Sequence, residues 1–379
     1  MTIDFRVRPP YKGFLAMHFF TDRERTSRIT RQLGMAPARS MLEASMELFL
    51  GEMGEAGIAA AVVAGRKAVP PWASVDNQDV ADLVREHPGK FYGYAGVDLT
   101  SRESARRDLE EATELGLVGV SLDPGFAPEP MCPDHRRLYP VYERCLELRL
   151  PVMITASHHA GPETSWGDPM YIDRVANDFP TLPIVVAHGC WPYVMQVLAV
   201  AHKHRNVYIA PDFYMVNMPG ALDYVRAANF YLEDRFLFAT SYPFGPLVDT
   251  VREFKALPFT ERALGKALHD NAARLLNISQ GMAYSSTGDQ EDDRRFQAPS
   301  SSQGISVSGL VRQRGAHGGA GVQSWSGTAF FTAPRLHGTA AAGDGGGGYL
   351  HRRCRRSAGR AALGKCLQRR RGRDRPPPP

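Results

Sequence analysis

The chain has 379 residues, five cysteines and a net charge of +5. It contains no apolar run of 18 residues, so no spanning helix and no membrane partner are expected, and its polar N-terminus lacks the apolar core of a signal peptide. The cysteines (Cys132, Cys145, Cys190, Cys354 and Cys366) show no C-x-x-C spacing, and an odd, scattered set suits a reducing, cytoplasmic setting.

The charge divides unevenly. Residues 280–379 carry 16 Lys and Arg against 6 Asp and Glu, so the total of +5 leaves about −5 on residues 1–279. The basic balance therefore belongs to the C-terminal hundred residues and says little about the body.

In chain order, the body opens on Ile3-Asp4-Phe5-Arg6-Val7-Arg8, a short alternating strand. Side chains alternate with period two, so Arg6 and Arg8 share one face. Histidines at those positions would suit a divalent cation. Arginine has no lone pair to offer a metal, whereas its planar fork matches a carboxylate or phosphate.

Further strands are predicted at 57–65 (GIAAAVVAG), 91–99 (FYGYAGVDL), 118–122 (VGVSL), 151–155 (PVMIT), 183–188 (PIVVAH), 207–210 (VYIA) and 236–240 (FLFAT). Most are continuous apolar runs, as parallel strands covered on both faces require. Helical-period segments such as 102–115 and 138–148 lie between them. Eight β–α units over about 270 residues match a (β/α)8 TIM barrel. A doubly wound sheet is the competing architecture, but no Gly-rich phosphate turn follows the first strand.

Barrel chemistry sits at the C-terminal ends of the strands. Those ends are Arg6 and Arg8, Arg66-Lys67, Asp98, Asp123, Thr155 to His159, His188, Asp212 and Ser241-Tyr242. His188 follows an apolar strand directly and is the candidate general acid or base; a structural histidine bonded to a carbonyl is the alternative. Asp212 either orients it or serves as a second base. Ser241 reads as a hydrogen-bonding group, since the sequence places no base beside it. Arg6, Arg8, Asp123, His158, Tyr214, Tyr242 and Trp191 are candidate substrate-binding residues, with Trp166 and Trp191 as possible apolar walls. Structural alternatives stand beside these: Asp98 and Asp123 as helix caps, and each arginine paired with a mouth carboxylate such as Asp123 or Asp212.

The body resembles the amidohydrolase-related family, in the branch with aminocarboxymuconate-semialdehyde decarboxylase-like enzymes, lactonases and other hydrolases. The resemblance spans about residues 2–278. It rests on Ile3-Asp4, Gly119-Val120 with Asp123-Pro124, Val186-Ala187-His188-Gly189, Leu237-Phe238-Ala239-Thr240-Ser241-Tyr242-Pro243 and Asn271-Ala272-Ala273-Arg274-Leu275-Leu276. It implies a (β/α)8 barrel, a homo-oligomer that is often a dimer, and one divalent metal, usually zinc. That metal activates water for hydrolysis or supports loss of carbon dioxide from a small carboxylated substrate.

The chain departs from the family pattern at the ligand positions. The Asp-x-His-x-His histidines are Arg6 and Arg8, the fifth-strand histidine is Thr155, and the eighth-strand aspartate is Ser241. His188 remains. A catalytic zinc takes three protein ligands, usually imidazole or carboxylate. The expectation is therefore no metal and no other cofactor, with zinc in a site rebuilt from His158, His159, His188 and Asp212 as the alternative. The expected function is metal-independent hydrolysis of a small carboxylated lactone, amide or ester, with His188 as acid/base and Arg6 and Arg8 holding a carboxylate or oxyanion. Decarboxylation is the second reading, and a ligand-binding barrel without catalysis the third.

After residue 279 the composition shifts to Gly, Ser, Arg and Pro without period, which predicts a disordered tail. Such a tail offers nucleic acid electrostatic contact only, so no nucleic-acid partner is assigned. Arg, Gly, Ala and Pro are also what a GC-rich strand yields out of frame. The family's end near residue 278 therefore favours a frameshift or readthrough product over a second functional segment.

Overall fold

The computed structural model describes residues 1–278; the expectation of a disordered tail over 280–379 lies outside the described residues. Seven parallel strands form one sheet in sequential order: β1 (Thr2–Val7), β2 (Ile58–Ala64), β3 (Phe91–Gly96), β4 (Gly119–Leu122), β5 (Val152–Thr155), β6 (Ile184–Ala187) and β7 (Val207–Ala210). A doubly wound sheet reverses its strand order at a switch point. This order never reverses, so that competing architecture is set aside.

The predicted eighth strand is a correction. Residues 236–240 form no regular ladder, only isolated bridges from Phe236 to Ile209 and from Tyr242 to Val7. Hydrogen bonds still run on both sides of the segment. Leu237 N donates to Ile209 O (2.9 Å), Phe5 N to Phe238 O (2.9 Å) and Arg8 N to Tyr242 O (3.1 Å). The sheet therefore curls until this segment joins β7 to β1.

Asp4 fixes that seam. Its carboxyl accepts from the amides of Thr240 (2.9 Å) and Arg6 (3.1 Å) and meets the Thr240 hydroxyl at 2.6 Å. Burial pushes its pKa up to about 7, against those hydrogen bonds.

Helices pack outside the sheet. Arg102–Glu114 starts where Ser101 Oγ accepts from Ser104 N, and Met46–Ala56 starts at Ser45 and ends at Gly57, whose φ of 68° suits glycine. The predicted helix over 138–148 begins instead with a 3₁₀ turn (Arg136–Leu138), because Pro140 sits in the first turn of Tyr139–Glu147, where its missing N–H costs nothing. Ile3, Phe5, Val62, Tyr94, Met153 and Val185 fill the interior of the sheet as a buried cluster, leaving its C-terminal end for polar groups. Among the described residues no helix is long and apolar enough to cross a membrane.

Candidate active site

Three sequence-predicted residues sit in strained backbone where the strands end. His188 (φ 66°), Asp212 (φ 50°) and Ser241 (φ 54°) are all left-handed, as is Cys190 (φ 56°). Such conformations cost about 1–3 kcal/mol each in non-glycine residues and concentrate at functional sites. All four are buried. Local turns hold the geometry: Cys190 N donates to Ala156 O (3.0 Å), and the Tyr224 hydroxyl donates to Gly189 O (2.6 Å).

His188 and Asp212 meet directly. His188 Nδ1 lies 2.8 Å and 3.0 Å from the two carboxyl oxygens of Asp212. Burial pushes the Asp212 carboxyl well up, while the nearby Arg6 pulls it back. Burial, then the charges of Arg6 and Arg8, push His188 well down, so its ring is neutral at neutral pH. Nε2 has no partner among the described residues and is free to exchange a proton.

Arg6 and Arg8 share one face, as the period of β1 requires, and both line the same cavity as His188. Arg6 Nη1 donates to Ser241 Oγ, Nη2 reaches Thr155 Oγ1 at 3.5 Å, and Asp212 lies 3.6 Å away. Its Nε is buried without a partner. Arg8 Nε donates to Ala64 O (3.1 Å), and its Nη2 stands 3.4 Å from Asp123. The carboxylate of Asp123 belongs mainly to Arg66, which holds it with two bonds of 2.8 and 3.1 Å. Three guanidiniums thus face two carboxylates, Asp123 and Asp212, among the described residues. Burial and mutual repulsion disfavour charge on Arg8, yet arginine keeps its proton in proteins. The balance calls for an anion.

The cavity has a volume of about 170 Å³. An engineered cavity of about 150 Å³ holds benzene, so this one takes a ring or a short conjugated chain. Of the residues singled out in the sequence, Arg6, Arg8, His158, His188, Tyr214, Ser241 and Tyr242 line it. Several expectations need correction. Asp123 is not in the wall, because its oxygens are spent on Arg66 and Arg8. Asp212 stands behind His188, outside the wall, with its carboxyl on Nδ1. Trp191 is not in the wall either; it stacks behind Tyr214 (5.2 Å between centroids, 14° between planes) and donates Nε1–H to Pro219 O. Trp166 also lies outside, packed on Gly161. Tyr242 turns its hydroxyl away to Ser40 Oγ (2.8 Å).

Sequence reasoning missed other wall residues. Arg66 appeared only as a strand end, although a basic residue directly after Gly65, the residue that follows β2, was the available signal. His18, Phe19 and Trp72, and Arg25 with Ile29 and Gln32, line the cavity from segments where no site was expected. Arg25, Ile29 and Gln32 fall at i, i+4 and i+7 on the helix Arg23–Gln32, one face of its 3.6-residue turn.

The amidohydrolase family model matches residues 3–278. The chain belongs to the amidohydrolase family. Among solved structures, an uncharacterized TIM-barrel protein from Bordetella bronchiseptica is 42% identical, with a TM-score of 0.71, over 73% of this chain and 98% of that one. A 2-keto-4-carboxy-3-hexenedioate hydratase from Sphingobium sp. is 29% identical over 34% of this chain, and the match spans 43% of that protein's length. A gamma-resorcylate decarboxylase from Polaromonas sp. is 24% identical over 54% of this chain and 76% of that protein. The named relatives are thus lyases, decarboxylating or hydrating, rather than hydrolases.

Solved decarboxylase structures sharing the fold contain manganese. The donor set of this amidohydrolase does not fit such an ion. Arg6 and Arg8 offer no lone pairs, and Thr155 and Ser241 offer only hydroxyls already facing Arg6. Among the described residues no group of three or more His, Cys, Asp or Glu is placed to hold a metal. His158 stacks on His159 (3.7 Å) and turns Nδ1 to the Tyr214 hydroxyl (3.3 Å), while His188 Nδ1 is taken by Asp212.

Proposed function

We propose that this chain is a (β/α)8-barrel lyase acting without a metal on a small conjugated carboxylic acid that carries a carbonyl or enol oxygen, with decarboxylation as its reaction. The observation that carries this reading is the buried His188–Asp212 pair beside three arginines that meet only two carboxylates. The hydrolytic expectation gives way, because what the site offers is a charge sink and a proton rather than an activated water.

Arg6 and Arg8 hold the conjugated oxygen. The departing carboxylate lies toward the apolar wall of Phe126, Phe213 and Phe244. When the C–CO2 bond breaks, its electron pair passes through the conjugated system to the oxygen beside the arginines, and carbon dioxide leaves. His188 Nε2 then takes up a proton from solvent and passes it to the carbon, forming the C–H bond and returning the ring to its neutral state, with Asp212 on Nδ1 offsetting the transient imidazolium charge. Negative charge moves from the apolar wall to the guanidiniums, so the arginines favour the transition state over the bound acid. Ser241, a hydrogen-bond partner of Arg6, fixes the direction of that guanidinium.

Hydration of a conjugated double bond would form the same oxyanion, and the similarity to a hydratase keeps it as a second reading. One experiment separates them. Incubation with oxo- and hydroxy-substituted unsaturated or aromatic acids in D2O is expected to release carbon dioxide and place one deuterium on the vacated carbon. Addition of water without carbon dioxide would establish hydration instead, and no turnover of any acid, with His188→Ala indistinguishable from wild type, would leave a barrel that only binds.

A further inference from the structure

A second cluster stands at the other end of the same cavity. Arg6, Arg8 and His188 are buried, whereas Arg25 and Trp72 are partly exposed and so stand at the open end. Arg25 has no carboxylate partner and no side-chain hydrogen bond among the described residues. Its guanidinium lies over the Trp72 ring, 5.2 Å from the centroid. His18 packs edge-on against the same ring (4.7 Å, 85°) and against Phe19 (3.9 Å). His18 is 4% exposed and lines the cavity, and its Nδ1 is buried with no partner. A buried imidazole nitrogen left unpaired forfeits the hydrogen bond it had in water, and an arginine held flat by an aromatic ring is positioned before any ligand arrives.

Burial and the charges of Arg66, Arg25 and Arg8 push His18 down to about 3, so it is neutral and gives the cluster a hydrogen bond without further repulsion. The groups facing it are Arg66, Arg25 and Arg8, all cationic, and the rings of Phe19, Trp72 and Phe244. Nothing acidic is among them.

We infer that His18, Arg25 and Trp72 form a second anion subsite, which selects substrates bearing a further carboxylate at the end remote from His188. The inference rests on the anion-binding cavity proposed above. It makes the preferred substrate at least a dicarboxylate, with its conjugated oxygen on Arg6 and Arg8 and its departing carboxylate at the interior apolar wall, and a further carboxylate held at the mouth. Arg66 lies between the two ends, bound to Asp123 and flanked by Phe126 (5.0 Å) and Phe19 (5.7 Å), so it supplies positive potential along the cavity without being free itself.

The test is calorimetric and needs no turnover. Benzoate, phthalate, isophthalate and terephthalate are titrated into the full chain; the three rigid diacids sample three spacings of the carboxylates. At least one diacid is expected to bind ten-fold or more tightly than benzoate. Arg25→Met should remove that advantage while leaving benzoate affinity within two-fold. His18→Phe, which keeps the ring and its stacking, should reduce the advantage as well. If no diacid exceeds benzoate, or the advantage survives Arg25→Met, the subsite is wrong while the interior carboxylate site stands. If none of the four acids binds wild type, both readings fall.

Discussion

His188 and Asp212 are 24 residues apart in the chain, yet Nδ1 of one lies 2.8 Å from the carboxylate of the other. Both are in left-handed backbone, so two strained turns at the ends of β6 and β7 are needed to make one contact. His188→Ala leaves Asp212 beside Arg6 and exposes no new charge. It should lower turnover by roughly 10²–10⁴-fold, the usual worth of a positioned acid/base group. Circular dichroism and the unfolding midpoint should remain close to wild type; equal activity would remove His188 from the mechanism.

Arg8 and Arg66 share Asp123 unequally, and the inequality predicts opposite phenotypes. Arg8→Met leaves Asp123 with both bonds from Arg66, so urea unfolding should change by less than about 1 kcal/mol while benzoate affinity falls about ten-fold or more. Arg66→Met leaves the buried Asp123 with one 3.4 Å contact. It should destabilise the chain by about 3–5 kcal/mol, the cost of stranding a buried charge.

The seam between β1 and residues 236–242 should titrate. Asp4 holds its proton up to about 7 in the folded chain, against 3.8 for an ordinary aspartate. Between those values the folded state binds the extra proton, so this contribution to stability is full below about pH 4 and is lost as pH rises through 7. His18 runs the other way: its contribution is full above about pH 6.5 and is lost as pH falls toward 3. Unfolding free energies of Asp4→Asn measured from pH 5 to 8 should show a flatter decline on the alkaline side than wild type. An identical slope would mean that Asp4 is ionised throughout.

Metal dependence follows from donor chemistry. Protein purified without added metal or chelator should contain less than 0.1 equivalent of zinc or manganese on the order expected for adventitious binding, given a lone His–Asp pair in place of three ligands. Activity should be unchanged by EDTA. Stoichiometric metal that tracks activity would overturn the metal-independent reading.

The sequence by itself determined the sheet. Apolar runs such as 152–155 and 184–187 have nowhere to go but between two covered layers, and the period of β1 puts Arg6 and Arg8 on one face. It also exposed the changed ligand positions, because arginine and serine cannot replace imidazole and carboxylate as donors. It did not determine the eighth segment, whose apolar run reads as a strand although the ring closes through isolated bridges and Asp4. Nor did it show that Asp123 is consumed by Arg66, that Trp191 stands behind Tyr214, or that Arg25 and His18 border the cavity. Those relations join residues tens to hundreds of positions apart. Charge pairing and stacking are decided by which side chains the closed sheet brings within about 4–6 Å, a distance no spacing along the chain encodes.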